Sequence, residues 1–337
     1  MPYSVRFYFG GKNEKTPCFV LNGGADFIQP DPIHAAHSRR AVFRGLGDSR
    51  TPLITVAIAC VFNIAGDLLL VAVFHLGAAG AAIATAAAQG LSVLISVQLI
   101  RRQDLPFHFE VHMIHRRPAL NRELLEIGFP IALQTLLVDL SFLIILAIVN
   151  TIGLTASSSI GIAEKACFFL MLIPIGFMQA ISAFVAQNRG AGQFDRIFGA
   201  LRQSVLIAAL SAAAMFALSY FHGDLLARIF TNDTAVIAGA ADYLKAYGID
   251  CLLTCFLFCF IGFFDGMART RFVMIQGVAS AFGVRVPVSY LMSKLQPVSL
   301  FHIGLAVPIS TLFHMMLVLI YYAWLKRQIR QNPEAFL

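Results

Sequence analysis

Long apolar runs separated by short polar turns fill most of the chain. Runs of about twenty apolar residues, enough for a helix to cross roughly 30 Å of hydrocarbon, stand at 52–74, 77–99, 127–151, 156–187, 203–222, 236–264, 272–292 and 302–325. The pattern predicts an all-α integral membrane protein with eight transmembrane helices. Part of the pattern is written twice. Phe43-Arg44-Gly45-Leu46-Gly47-Asp48-Ser49-Arg50-Thr51 is echoed by Phe264-Asp265-Gly266-Met267-Ala268-Arg269-Thr270-Arg271. Phe74-His75-Leu76-Gly77 returns as Phe301-His302-Ile303-Gly304, and each copy heads an apolar run. Internal symmetry of this kind is how many transporters are built, as two similar lobes. Four apolar runs lead into the second copy, between Leu124 and Phe264, whereas only about forty residues, with no apolar run among them, precede the first. If the lobes are equivalent, the first lacks four helices.

On this reading residues 1–43 are a disordered tail or an unrelated segment, 44–100 the remnant of a first lobe, and 101–125 a cytoplasmic linker. Residues 126–326 form a six-helix second lobe, and 327–337 a cytoplasmic tail. The first forty residues match neither a signal peptide nor a first transmembrane helix.

Composition agrees with a membrane protein: 58% of residues are hydrophobic and 13% charged, with a mean hydropathy of +0.76. That is too apolar for an ordinary soluble domain. The basic residues are unevenly placed. Arg39, Arg40, Arg44 and Arg50 precede the first run, and Arg101, Arg102, Arg116, Arg117 and Arg122 lie between the second and third. Arg189, Arg196 and Arg202 follow the fourth run, Arg269 and Arg271 the sixth, and Lys326, Arg327 and Arg330 the last, while the alternate loops hold only Arg228 and Lys294. This positive-inside bias puts both termini in the cytoplasm. Charges spread over alternate loops are no nucleic-acid patch, which would gather in one domain.

Charged and polar groups inside the runs are the candidate chemistry, because a carboxylate in hydrocarbon is costly and usually faces a cavity. Asn63 and Asp67 are four apart on one helix face. Counted from the outer turn near Phe74, Asp67 lies at roughly 10 Å and Thr85 at roughly 12 Å, so the three form an oxygen-rich candidate for Na⁺ or a shared proton. The second lobe opens with Gly128-Phe129-Pro130, then Gln134 and Asp139. Asp139 and Asp250 are predicted near mid-membrane, as a second ion or cationic-substrate site. Glu164 and Lys165 point about 100° apart, so each faces a cavity or snorkels, and Arg285 is a candidate partner for one of the acids. Cys251, Cys255 and Cys259 share a helix face but lack a fourth ligand and a polar second shell for a metal; they read as packing residues. His108, His112 and His115 read as part of a wet linker. Pro174, Pro287 and Pro308 interrupt apolar runs and permit bends. No nucleophile–base pair or metal motif stands at useful spacing, so an enzyme is not expected, nor any cofactor.

Five stretches together resemble a known family. Arg44-Gly45-x-Gly47-Asp48-Ser49-Arg50-Thr51-Pro52, Asn63-Ile-Ala-Gly-Asp67, Gly80-Ala-Ala-Ile-Ala-Thr85, Gly128-x-Pro130 and Phe184-Val-Ala-Gln-Asn-Arg-Gly-Ala-Gly192 resemble the multidrug and toxic compound extrusion (MATE) family of cation-coupled efflux transporters. The resemblance implies twelve helices in two lobes opening as a V, of which the eight runs here correspond to helices five to twelve. It implies antiport of small cationic or amphipathic drugs against Na⁺ or H⁺ in the plasma (inner) membrane. Asn63, Asp67 and Thr85 would be cation ligands, with Asp139 and, more distantly, Asp250 in the second lobe. Gln134, Glu164, Lys165 and Arg285 are substrate-cavity candidates. The absence of the first four helices makes this chain an N-terminally truncated member, completed by a second chain or inactive. Two other readings stay open: a lipid-linked oligosaccharide flippase, for which Lys165 and Arg285 speak, and a non-transporting membrane fragment.

Overall fold

A computed structural model describes residues 50–102 and 118–336. The first copy of the repeated turn, Phe43 to Ser49, lies outside the described residues, as do the tail of residues 1–43 and the histidines of the linker. Among the described residues all regular structure is helical, and eight segments are long and apolar enough to cross a membrane: Arg50–Val73, Gly77–Ser96, Leu124–Asn150, Leu154–Gly190, Phe194–Phe221, Thr234–Gly266, Thr270–Ser293 and Leu300–Gln331. Each corresponds to one predicted run. Several helices extend beyond their runs, because lysine and arginine stems carry a helix through the headgroup layer. The chain divides into two compact units, one up to Gly128 and one from Phe129.

In the first unit, α1 (Arg50–Asp67) continues through a π-helical turn, Leu68–Val73, and α2 (Gly77–Arg102) packs back against it. Small residues let the two backbones approach, the usual basis of helix packing where lipid removes the hydrophobic driving force. A Cβ at Gly66 would lie 3.0 Å from that of Ala84, and one at Gly80 would lie 3.0 Å from the Leu70 carbonyl oxygen. The reversal at Phe74 to Gly77 uses left-handed backbone, with φ of 53° at His75 and 55° at Gly77. The second Phe-His-x-Gly behaves differently: Phe301 to Gly304 falls inside a short helix, α10 (Leu300–Gly304). There Gly304 backs onto Tyr243 and Ala246. The same four letters thus make a turn in one place and a helical contact in the other, decided by what packs against the glycine.

The second unit comprises α3 (Pro118–Asn150), α4 (Leu154–Gly190), α5 (Phe194–Phe221), α6 (Gly223–Arg228), α7 (Thr234–Gly266), α8 (Thr270–Ser280), a π-helical turn Ala281–Arg285, α9 (Val286–Ser293), α10 and α11 (Ala306–Gln331). Only the part of α3 from Phe129 belongs to this unit. Helix α7 is its centre, buried along most of its length. Asp233 caps it, accepting from the backbone N–H groups of Ala235 (2.9 Å) and Val236 (3.3 Å), which satisfies donors a helix start leaves open. Glycines set its contacts. Gly262 lies on the Met178 carbonyl and Gly266 on Ser182 and Val185 of α4, while Gly248 meets Ser219 and Tyr220 of α5. Hydroxyls add interhelical bonds: Ser159 donates to the Val236 carbonyl (3.1 Å) and Ser219 to that of Leu244 (2.7 Å).

Pro174 lies inside α4, as Pro130 does inside α3, whereas Pro287 sits in the first turn of α9, directly after a π-helical turn. A proline lacks the N–H that the preceding turn would need, and a widened turn absorbs the mismatch. Cys251, Cys255 and Cys259 are buried free thiols, with Cys255 Sγ 3.7 Å from Met215 Sδ.

Candidate functional site

The first unit brings two of its three expected ligands together. Asn63 on α1 donates through Nδ2 to Thr85 Oγ1 on α2, at 3.4 Å. Asp67, one turn beyond Asn63, is half-buried, and its Oδ1 is inaccessible and without a hydrogen-bond partner among the described residues. A carboxylate oxygen out of water and without a donor is costly to leave so. It is also what an arriving cation or proton needs. The π-helical turn starts directly after Asp67, and such turns are frequent at functional positions. One side chain was not legible beforehand: Gln89, one turn beyond Thr85, carries a second buried oxygen, Oε1, with no hydrogen-bond partner among the described residues. Its spacing of four from Thr85, on the same face, was the available signal.

The second unit treats its candidates differently. Asp250 on α7 is only 3% exposed. Its Oδ2 accepts from Thr254 Oγ1 at 2.7 Å, and Oδ1 has no hydrogen-bond partner among the described residues. Arg285, at the end of the π-helical turn, is 8% exposed. Its Nε donates to Ser310 Oγ (3.1 Å) and its Nη1 to Ser141 Oγ (3.2 Å), while the ring of Phe142 lies 4.5 Å from the guanidinium carbon. Ser141 therefore faces inward from α3, and Asp139, two residues earlier and about 200° around the helix, is exposed. Asp139 and Asp250 thus differ in environment, the one exposed and the other buried.

Glu164 is half-buried and Lys165 exposed. The three ion pairs found among the described residues, Arg122–Glu126, Arg228–Asp224 and Lys245–Asp242, involve neither of them nor Arg285. Gln134 packs its amide into the notch at Gly277, where a Cβ would come 3.0 Å from Nε2. His314, one turn beyond Ser310, is a further buried group, its Nε2 without a hydrogen-bond partner among the described residues. Sequence reading passed over it because a histidine within an apolar run has no periodic mark.

Eight helices long and apolar enough to cross a membrane, carrying buried charged and hydroxylic side chains, mark a multi-pass membrane protein. Residues 130–291 match the MatE family model. The chain is 25% identical over 303 residues to the probable multidrug resistance protein YoeA of Bacillus subtilis (strain 168), covering 85% of this chain and 64% of that protein. To YpnP, another probable multidrug resistance protein of the same organism, it is 28% identical over 293 residues, covering 84% of this chain and 63% of that one. The chain thus spans somewhat under two thirds of the length of these relatives. In fold it superposes on an outward-facing multidrug resistance MATE family transporter of the MOP superfamily with a TM-score of 0.80 and 17% identity, over 89% of this chain and 67% of that one. The family model, the relatives and the fold thus agree in making this chain similar to MatE family proteins.

Proposed function

We propose that this chain serves multidrug efflux, moving small cationic or amphipathic compounds out across the plasma membrane in exchange for Na⁺ or H⁺. The observation that carries the reading is the unpartnered, inaccessible Oδ1 of Asp67 beside the Asn63–Thr85 contact. In this reading the coupling ion sits on Asp67, with Asn63 and Thr85 as neutral oxygen ligands and Gln89 as a further one. Occupancy biases the protein between inward- and outward-open states, because an ion shifts such an equilibrium only through its differential affinity for the two. Asp139, exposed on α3, is an acid of the second unit open to a cationic compound, and Gln134, Glu164 and Lys165 are further candidates for a substrate path. The basic loops orient both termini to the cytoplasm.

The multidrug-resistance relatives favour drug efflux over transport of a lipid-linked oligosaccharide. The reading is tested by ethidium efflux from cells deprived of their own pumps. Expression of the chain should lower dye retention, and Asp67→Asn should abolish the effect at equal membrane abundance. Equal efflux by Asp67→Asn and the unaltered chain would remove the reading.

A further inference from the structure

Two basic side chains at one end of the second unit stand where the polar and apolar layers of a membrane meet. Arg202 directly precedes the apolar run of α5, and Lys326 directly follows that of α11. These helices are the fifth and eighth crossing segments, so they run in opposite directions and bring both residues to the same end. Each packs on α7, and they meet through aromatic rings. Phe198 of α5 and Tyr322 of α11 lie 6.3 Å apart, edge to face, and Phe263 of α7 lies 6.2 Å from the first ring and 5.5 Å from the second. Lys326 reaches across this floor, its Nζ 5.3 Å from the Phe198 ring and 5.6 Å from that of Tyr322. Arg202, one turn along α5 from Phe198 and on the same face, is exposed. The two cations therefore flank the rings about 6 Å apart in depth.

Neither side chain forms an ion pair among the described residues. Asp195, the acid nearest Arg202 in sequence, lies about 10 Å nearer the start of α5. Below the cations the surface turns apolar: Leu206 and Leu210 continue the stripe of Arg202 at four-residue intervals, Leu319 lies two turns before Lys326, and all three are exposed. Depth is marked independently by Trp324, exposed and stacked on Tyr321 at 5.3 Å, since tryptophan settles at the headgroup level. Lys326 is about 3 Å further out along the helix. From these contacts we infer that the groove between α5 and α11 binds an anionic phospholipid, its phosphate held between Arg202 and Lys326 and its acyl chains laid along Leu206, Leu210 and Leu319. The rings attract the ammonium but leave its N–H donors for phosphate oxygens, and the guanidinium fork suits phosphate in two parallel bonds. A zwitterionic headgroup brings a cation of its own, which both side chains repel. The site stands whether or not the chain exports drugs.

The test is native mass spectrometry of the purified chain in detergent, titrated with dioleoylphosphatidylglycerol, with dioleoylphosphatidylcholine, and with inorganic phosphate as competitor. The first should bind at least fivefold more tightly than the second. Arg202→Gln and Lys326→Gln should each weaken it about fivefold, the attraction of one basic side chain to an anionic surface, and the double variant should bind the two lipids alike. Arg327→Gln, which removes an exposed charge at the same end of α11, should change binding less than twofold. Equal binding of the two lipids by the unaltered chain overturns the inference, as does a loss in Arg327→Gln as large as that in Arg202→Gln. Displacement of phosphatidylglycerol by inorganic phosphate in the same concentration range also overturns it, because the site would then take a free anion. Arg202 is exposed and makes no printed bond that the fold depends on, so Arg202→Gln decides alone should Lys326→Gln not fold.

Discussion

Replacing Gly262 by alanine tests whether α7 is the centre of the second unit. A Cβ there would strike the Met178 carbonyl oxygen and lie 3.0 Å from the carbonyl carbon and Cα of the same residue. Carbon atoms in good contact sit at about 3.5–4.0 Å, so the two backbones must part by roughly 0.5–1 Å. A gap of that size forfeits about a quarter to a half of each van der Waals contact along the seam. Overpacking of this kind costs about 1–3 kcal/mol, while alanine returns about 1 kcal/mol of helix propensity. The net expectation is a loss of up to about 2 kcal/mol, and so a fall in unfolding midpoint of up to roughly 8 °C. Gly161, inside α4, supplies the control: a Cβ there would meet nothing within 4 Å, so Gly161→Ala should hold or raise the midpoint. Both variants are measured by tryptophan and tyrosine fluorescence during heating of the detergent-solubilised chain. A Gly262→Ala protein as stable as Gly161→Ala would refute the seam.

Three further outcomes follow from single contacts. Ser310→Ala deprives Arg285 Nε of its acceptor and breaks a link between the π-helical turn and α11; a loss of about 1–3 kcal/mol is expected in thermal unfolding. Phe336→Ala should raise amide exchange at residues 266–270, because it removes the ring that lies 5.4 Å from the Arg269 guanidinium carbon and that helps hold the C-terminal backbone where Arg189 joins the Phe336 and Met267 carbonyls; unchanged exchange there would refute this tie. Asp233→Ala removes the cap of α7 and should lower stability by about 1 kcal/mol, with Asp233→Ser retaining most of it.

The membrane fold was legible because hydrophobic length is a strong signal: each of the eight predicted runs returned as a crossing helix. The meeting of Asn63 and Thr85 was legible too, since helical rise fixes depth from a shared turn. What escaped were features without periodicity. The two π-helical turns adjoin Asp67 and contain Arg285, and a widened turn leaves no mark in an apolar run. The partners of Arg285 are Ser141 and Ser310, small hydroxyls that read as packing residues until the helices are placed. Asp139 and Asp250 looked equivalent by depth alone, but the rotation of α3 exposes one while the other is buried. The repeated Phe-His-x-Gly misled in detail, because four residues cannot specify whether their glycine will turn or pack.

The central claim, that the coupling ion binds at Asp67, is tested most directly by dye uptake into proteoliposomes under an imposed Na⁺ or H⁺ gradient. The unaltered chain should show gradient-driven movement, and Asp67→Asn should show none under either gradient. Gradient-driven movement that persists in Asp67→Asn would contradict the claim.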